Sequence, residues 1–267
     1  MKTRLINLST IVITTIALSL FAVSCEKDEI KQGRPDDAGI PDHAKIPDHV
    51  NLPDAAGVNT IKDIDGNVYP IVKIGEQWWM AENLKVSRYC NGDDIPTDLD
   101  NTEWQTAEDG AFAVYAHSDI DGLNSNQEVL EAYGALYNWN AVDDSRGLCP
   151  TGWRVPSPDD WTELIVYLGG VPVAGGKLKS TRTEPDDHPR WDSPNKDATN
   201  EYGFSALPGG IKSYYGNLGY IGSNGYWWSS YGYDNTAHAP SMTNSSSFMY
   251  LAAHHKVNGL SVRCVRD

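Results

Sequence analysis

Positive charge is scarce: the 267-residue chain carries 21 Lys and Arg against 36 Asp and Glu, a net charge of -15. A nucleic-acid binder needs a basic face to meet phosphates, so that class of partner is excluded. Phenylalanine is also rare, at four residues beside nine Trp and 14 Tyr. The aromatic content therefore carries polar handles, suited to surfaces that touch both apolar groups and water or a ligand. There are four cysteines and no C-x-x-C pair for zinc or thioredoxin-like chemistry. H-E-x-x-H, G-x-S-x-G and phosphate-loop patterns are missing too, and acid–base carboxylates cannot be picked from 36 acids without geometry. What remains is 40% hydrophobic and 21% charged, a composition that folds, over a length sufficient for one large domain or two small ones with tails.

The single long apolar run lies at the N-terminus. Lys2 and Arg4 precede an uncharged stretch, residues 5–24, that ends in Ala22-Val23-Ser24 before Cys25. A basic start, a short apolar stretch and a small-residue end predict a cleaved secretory signal over residues 1–24. A spanning helix is the competing reading, since the run is about long enough. Its hydroxyls and the acidic residues that follow weigh against it. Ala22-Val23-Ser24-Cys25 resembles a bacterial lipobox, although the first position is usually Leu, and implies lipidation at Cys25. Glu26-Lys27-Asp28-Glu29 resembles the acidic surface-export signal of Bacteroidetes lipoproteins. The implied location is the outer membrane at the cell surface, with the membrane reached through lipid alone.

Residues 25–57 form the expected linker. Pro35, Pro41, Pro47 and Pro53 recur every six residues. Each fixes its own φ and pushes its predecessor out of the helical region, so the segment is expected to be an extended spacer. His43 and His49, beside Asp42 and Asp48, suggest weak metal binding less strongly than a solvated stalk.

Residues 58–267 carry the pattern of a folded domain. Asp65-Gly66 or Gly66-Asn67 predicts a hairpin turn. Asp63, Asp65 and Asn67 begin like a calcium loop, but Ile74 stands where the twelfth-position Glu is required. Trp78-Trp79-Met80 is expected to enter the core, and residues 90–128 to be irregular. A short buried helix is expected over 132–139. The clearest helix starts with Ser157 as N-cap and Pro158 in the first turn, with Asp159 and Asp160 complementing the dipole. Trp161, Leu164, Ile165 and Leu168 give one apolar stripe, and Gly169-Gly170 stops it. After a polar loop at 181–202, strands are expected within 203–207, 225–230, 248–252 and 260–265. The class is α+β, with few helices, short antiparallel strands and extensive loops.

Beyond Cys25 the chain has Cys90, Cys149 and Cys264, an odd number that leaves one thiol over in an exported protein. A Cys149–Cys264 bridge would close most of the domain and contribute roughly 4 kcal/mol by chain entropy. Three buried thiols are the competing arrangement.

Several stretches then match a family in order. They are Asp63-Ile-Asp-Gly-Asn-Val-Tyr, Gly75-Glu-Gln-Trp-Trp-Met-Ala-Glu-Asn-Leu84, Tyr133-Gly-Ala-Leu-Tyr-Asn-Trp139 and Cys149-Pro-Thr-Gly-Trp-Arg-Val-Pro-Ser157. Gly203-Phe-Ser-Ala-Leu-Pro-Gly-Gly210, Gly225-Tyr-Trp-Trp-Ser-Ser230 and Gly259-Leu-Ser-Val-Arg-Cys-Val-Arg-Asp267 follow. Together they resemble the Fibrobacter succinogenes major paralogous domain (FISUMP) across nearly all of 58–267. That family looks related to C-type-lectin-like domains and to formylglycine-generating enzymes. The resemblance implies a C-type-lectin-like α+β domain with adjacent termini.

Three readings of function follow. Formylglycine-generating relatives use closely placed cysteines, so an oxidase would need Cys90 or Cys264 as a reactive thiolate. C-type lectins hold calcium with a Glu-Pro-Asn-type loop, which Glu184-Pro185-Asp186-Asp187 resembles. That makes Glu184, Asp186 and Asp187 metal candidates and calcium the one suggested cofactor. The companion Trp-Asn-Asp strand is not matched, because Trp227-Trp228-Ser229-Ser230 stands there. The third reading rests on residues 213–250, rich in Tyr, Trp, Ser, Gly and Asn as adaptable binding loops are. Its candidates are Tyr214, Tyr215, Tyr220, Tyr226, Trp228, Tyr231 and Tyr233, with one of the adjacent Trp227 and Trp228 expected to be exposed. The favoured expectation is a non-catalytic binding module for a glycan or a surface protein, in adhesion or surface assembly. An enzyme and a purely structural surface protein are the alternatives.

Overall fold

The computed structural model describes residues 59–267. The expected signal, the lipidation site Cys25 and the proline-repeat spacer lie outside the described residues. Strand β1 (Thr60–Lys62) turns into β2 (Val68–Ile74) as a hairpin. The Asp63 carboxylate accepts from the amides of Asp65 and Asn67, both at 2.9 Å, and Gly66 takes φ +89°. This is the Asx-type turn chemistry the sequence offers there. A second hairpin leads into β3 (Gln77–Met80).

Residues 81–152 contain short elements. Helix α1 (Asn101–Gln105) has a capping box between Asp100 and Glu103. Then come β4 (Phe112–Ala113), α2 (Asn126–Tyr133), β5 (Leu136–Tyr137) and α3 (Trp139–Val142). The helix expected over 132–139 is therefore not formed. Gly134, at φ +77°, ends α2, and Leu136–Tyr137 pair with β4 instead. A Cβ at Gly134 would lie 2.6 Å from that of Asn83, so glycine is required where the backbone turns there.

Strand β6 (Trp153–Arg154) precedes α4 (Pro158–Tyr167), which forms as its local signals dictate. Ser157 Oγ accepts from the Asp160 amide, Asp160 Oδ2 accepts from the Ser157 amide at 2.7 Å, and the predicted stripe is buried. Helix α5 (Val171–Leu178) follows. Strands β7 (Gly209–Lys212), β8 (Leu218–Ile221), β9 (Asn224–Tyr226), β10 (Gly232–Tyr233), β11 (Thr236–Thr243), β12 (Tyr250–His255) and β13 (Val265–Arg266) complete the domain. The stretch 203–207 is not a strand: Gly203 and Ser205 both take positive φ, and a single bridge joins Ala206 to Lys179. Of 260–265, Val265 alone lies in a strand, while Leu260 and Ser261 make isolated bridges to Tyr137 and Trp227.

Sheet order is β1-β2-β3-β13-β6 in one sheet, so the first and last strands share it. A second sheet runs β10-β11-β12, with β9 also paired to β11. The protein is thus mixed and sheet-rich with few helices. Cys149 and Cys264 form a disulfide that closes 115 residues. Cys90 lies outside it and its thiol donates to the Cys149 carbonyl at 3.0 Å.

Trp227 and Trp228 do point to opposite faces, but neither is exposed: both are 0% accessible. Trp228 packs with Leu84, Tyr137 and Cys264, and Trp227 with Trp79, Trp161 and Phe204. The segment is a partition between two cores, because each of its faces meets a different packed layer.

Candidate functional site

The strands of the β10–β11–β12 sheet contain no Lys, Arg, Asp or Glu, in a chain that is strongly acidic. Pairing is antiparallel, with Tyr233 opposite Thr236, Thr236 opposite His255 and His238 opposite Ala253. Residues directly opposite share a face, and residues two apart along a strand share it too. Tyr233, Thr236, His238, Leu251, Ala253 and His255 therefore stand on one side. The His238 amide donates to the Tyr231 carbonyl at 3.0 Å, and the two rings meet edge to face at 5.4 Å, which adds Tyr231. Tyr214, from the β7–β8 turn, packs its ring on His255 at 4.6 Å and on Tyr215 at 5.1 Å. Tyr233 and Tyr215 are 69% and 67% accessible, with Tyr231, His238, Leu251 and Ala253 also exposed. Such a row of aromatic and imidazole groups offers apolar area with donors and acceptors at its tips.

The opposite face is anchored. Ala237 and Ala239 are buried, and the Tyr226 ring packs on His254 at 5.2 Å. Burial lowers the His254 imidazole below its ordinary value and raises the Tyr226 phenol above its own. Helix α5 fixes the entry to β12. The Met249 amide donates to Val171 and the Gly176 amide to Ser247, both at 3.0 Å. Gly175 lets that loop lie flat, since a Cβ there would sit 2.5 Å from the Phe248 carbonyl oxygen.

Of the aromatic candidates read from the sequence, Tyr214, Tyr215, Tyr231 and Tyr233 are gathered on this face. Tyr220 is exposed on β8, in the separate β7–β8 sheet. Tyr226 is half-buried and its hydroxyl accepts from Asn224 at 2.8 Å. Trp228 is a correction: it is a core residue whose indole donates to the Tyr137 carbonyl at 2.7 Å. His238, His255 and Leu251 complete the face and carry no local signal of their own. Only the strand register brings them there.

The metal candidates are dispersed. Glu184 pairs with Arg190 at 3.1 Å, Asp186 accepts from the Thr183 amide at 3.2 Å, and the Asp187 carbonyl takes a bond from Arg182 at 2.7 Å. The two arginines hold this loop by its backbone and its first carboxylate, so its acids do not converge. Among the described residues, no three His, Cys, Asp or Glu side chains are placed to hold a metal ion.

A cleft of about 400 Å³ lies elsewhere, lined by Val72, Glu82, Glu131, Ser180, Arg182 and Ser205 among others. Its two glutamates share Lys85, at 3.5 and 2.7 Å. That leaves a partly neutralised wall with no aromatic platform.

The Fibrobacter succinogenes major domain matches this chain over residues 72–266. The chain belongs to that family. No curated protein and no solved structure matches. In this F. succinogenes major domain the recurring motifs meet in the interior. Asn83 Nδ2 donates to the Tyr133 carbonyl at 2.9 Å, and Asn83 Oδ1 accepts from Trp227 Nε1 at 2.9 Å. Arg263 donates to the carbonyls of Phe204 and Ser205 and to the same Asn83 oxygen. The motif residues hold the F. succinogenes major domain together, while the aromatic face uses residues largely outside them.

Proposed function

We propose that this chain is a non-catalytic binding module, held at the outer bacterial surface by lipid on Cys25, that takes a glycan on the β10–β11–β12 face. The observation that carries the reading is the ring-lined face of Tyr214, Tyr215, Tyr231, Tyr233, His238 and His255 on a packed sheet. Aromatic rings meet the apolar faces of sugars, and phenol and imidazole groups exchange hydrogen bonds with hydroxyls. Display fits the basic, apolar and small-residue N-terminal pattern. Among the described residues no helix is long and apolar enough to cross a membrane. The oxidase alternative retains only Cys90, because Cys264 is spent in the disulfide.

The test is a glycan array probed with the whole chain, with calcium and with EDTA. Binding that survives EDTA and is lost in Tyr231→Ala/Tyr233→Ala, at unchanged melting temperature, supports the reading. Silence in both conditions, or binding retained by the double variant, overturns it. Loss in EDTA would return attention to Glu184, Asp186 and Asp187.

A further inference from the structure

Among the described residues, strand β12 has a strand on one side only. Its ladder to β11 runs from Tyr250 opposite Ser241 to His255 opposite Thr236, and no strand among the described residues pairs with its other edge. The direction of its backbone groups follows from β11. There the His238 amide and carbonyl bond Tyr231 and Ser229, and the Pro240 carbonyl accepts from Trp227, all away from β12. The alternate positions Ala237, Ala239 and Ser241 thus carry the ladder to His254, Ala252 and Tyr250. Leu251 and Ala253 turn their N–H and C=O groups outward.

Natural sheets blunt such an edge with lysine, proline, inward charge or a bulge. Tyr-Leu-Ala-Ala-His-His has none of these, and Tyr250, Leu251, Ala252 and Ala253 are all exposed. We propose that β12 pairs antiparallel with β12 of a second copy of this chain, joining two domains into one continuous sheet. Charge limits where two copies can meet. Two copies at -15 repel over most of their surfaces. This edge, with no acidic residue, brings uncharged strand against uncharged strand. Burial favours the neutral form of His254 and so removes a further charge from the contact.

The strand is also self-complementary about Ala252. In that register Leu251 and Ala253 exchange backbone bonds with Ala253 and Leu251 of the second copy. The small Ala252 meets itself on the two-fold axis, and Tyr250 lies opposite His254. Tyrosine–histidine ring contacts are already used four times among the described residues, by Tyr133–His188, Tyr214–His255, Tyr226–His254 and Tyr231–His238. The arrangement is isologous and closed, so it stops at two copies. It stands on the backbone edge and does not depend on what the aromatic face binds. It does place two such faces side by side, on one side of the joined sheet, where a repetitive ligand would engage both.

The experiment is oxidative cross-linking of Ala252→Cys in the whole chain, with analytical ultracentrifugation of the unsubstituted chain. A non-hydrogen-bonded antiparallel pair sets its Cα atoms about 4.5 Å apart, within disulfide reach. The expected result is a dimer by sedimentation and a covalent dimer from Ala252→Cys. The unsubstituted chain, oxidised alike, controls for Cys25 and Cys90 and gives none. Ala253→Pro removes an outward N–H while leaving the β11 ladder intact, and is expected to raise the dimer dissociation constant at least tenfold with unchanged circular dichroism. Should Ala253→Pro fail to fold, the cross-link decides. A chain monomeric at about 100 μM without an Ala252→Cys dimer overturns the proposal, as does cross-linking only to a protein of different mass.

Discussion

Arg263 donates from Nη2 to Oδ1 of Asn83 at 3.0 Å, across 180 residues of sequence, with both side chains buried. No carboxylate among the described residues hydrogen-bonds Arg263, although the charge of Glu82 favours the protonated guanidinium. The guanidinium finds only carbonyl-type acceptors, at Asn83, Phe204 and Ser205, and stacks on the Phe204 ring at 4.3 Å. Burial lowers its proton affinity, yet arginine stays charged at neutral pH, so each acceptor offsets part of a large desolvation cost.

Asn83 is therefore the position whose loss should be felt most widely. Asn83→Ala strips one acceptor from Arg263 and from the Trp227 indole, and one donor from the Tyr133 carbonyl. The expected destabilisation is roughly 2–4 kcal/mol, the range for buried groups left unsatisfied beside a charge. Asn83→Asp keeps the acceptor and brings a counter-charge, so it should cost less. Urea denaturation of both variants checks the order, and equal losses would show that the cost is packing rather than hydrogen bonding.

How much of this was legible depended on whether the cause was local. Helix α4 could be read because Ser157, Pro158, the 161–168 stripe and Gly169-Gly170 all act within a few residues. The alternation of Trp227 and Trp228 was also legible, but not the second core that covers the other face. Residues 203–207 read as a strand because their distortion comes from elsewhere: Ser205 takes φ +53° where its carbonyl and that of Phe204 meet Arg263. Lys179 is invisible in the same way, buried among the carbonyls of Lys196, Thr243 and Ser246 at 2.8–3.0 Å. The aromatic face was legible as composition only. Tyr214 joins Tyr233 through the register of β11 with β12, which no local pattern specifies.

The disulfide ties Cys149, ahead of β6, to Cys264, the residue that precedes β13. Closing 115 residues constrains the unfolded chain, and its loss in Cys149→Ser/Cys264→Ser is expected to cost about 4–5 kcal/mol by loop entropy. Thermal melts with and without reductant measure it. Indistinguishable melting curves would mean that the unfolded chain is already compact enough for the bridge to add nothing.

His254 gives the fold an acid dependence of known sign. Burial against Tyr226 favours its neutral form, so its folded-state proton affinity is below that of the unfolded chain, which titrates near 6.5. As pH falls through about 6.5 the unfolded state takes up more protons, and stability is lost. Burial beside Arg190 shifts His188 in the same direction. The diagnostic is thus a difference: stability of His254→Gln should fall less steeply between about pH 7 and 5 than that of the unsubstituted protein. Parallel curves would remove His254 as a source.

Trp228 and Tyr233 serve to separate architecture from the proposed recognition within one stretch of sequence. Trp228 fills a core and its indole holds the Tyr137 carbonyl, so Trp228→Ala is expected to cost about 3–5 kcal/mol. Tyr233 stands in solvent on the sheet face, and Tyr233→Ala should change stability by less than about 0.5 kcal/mol. Ligand binding should show the reverse order once Trp228→Ala is measured at a temperature where it remains folded: nearly retained there, and weakened at least tenfold in Tyr233→Ala. If both variants bind as the parent does, the ligand sits elsewhere, and the cleft beside Glu82 and Glu131 becomes the next place to mutate.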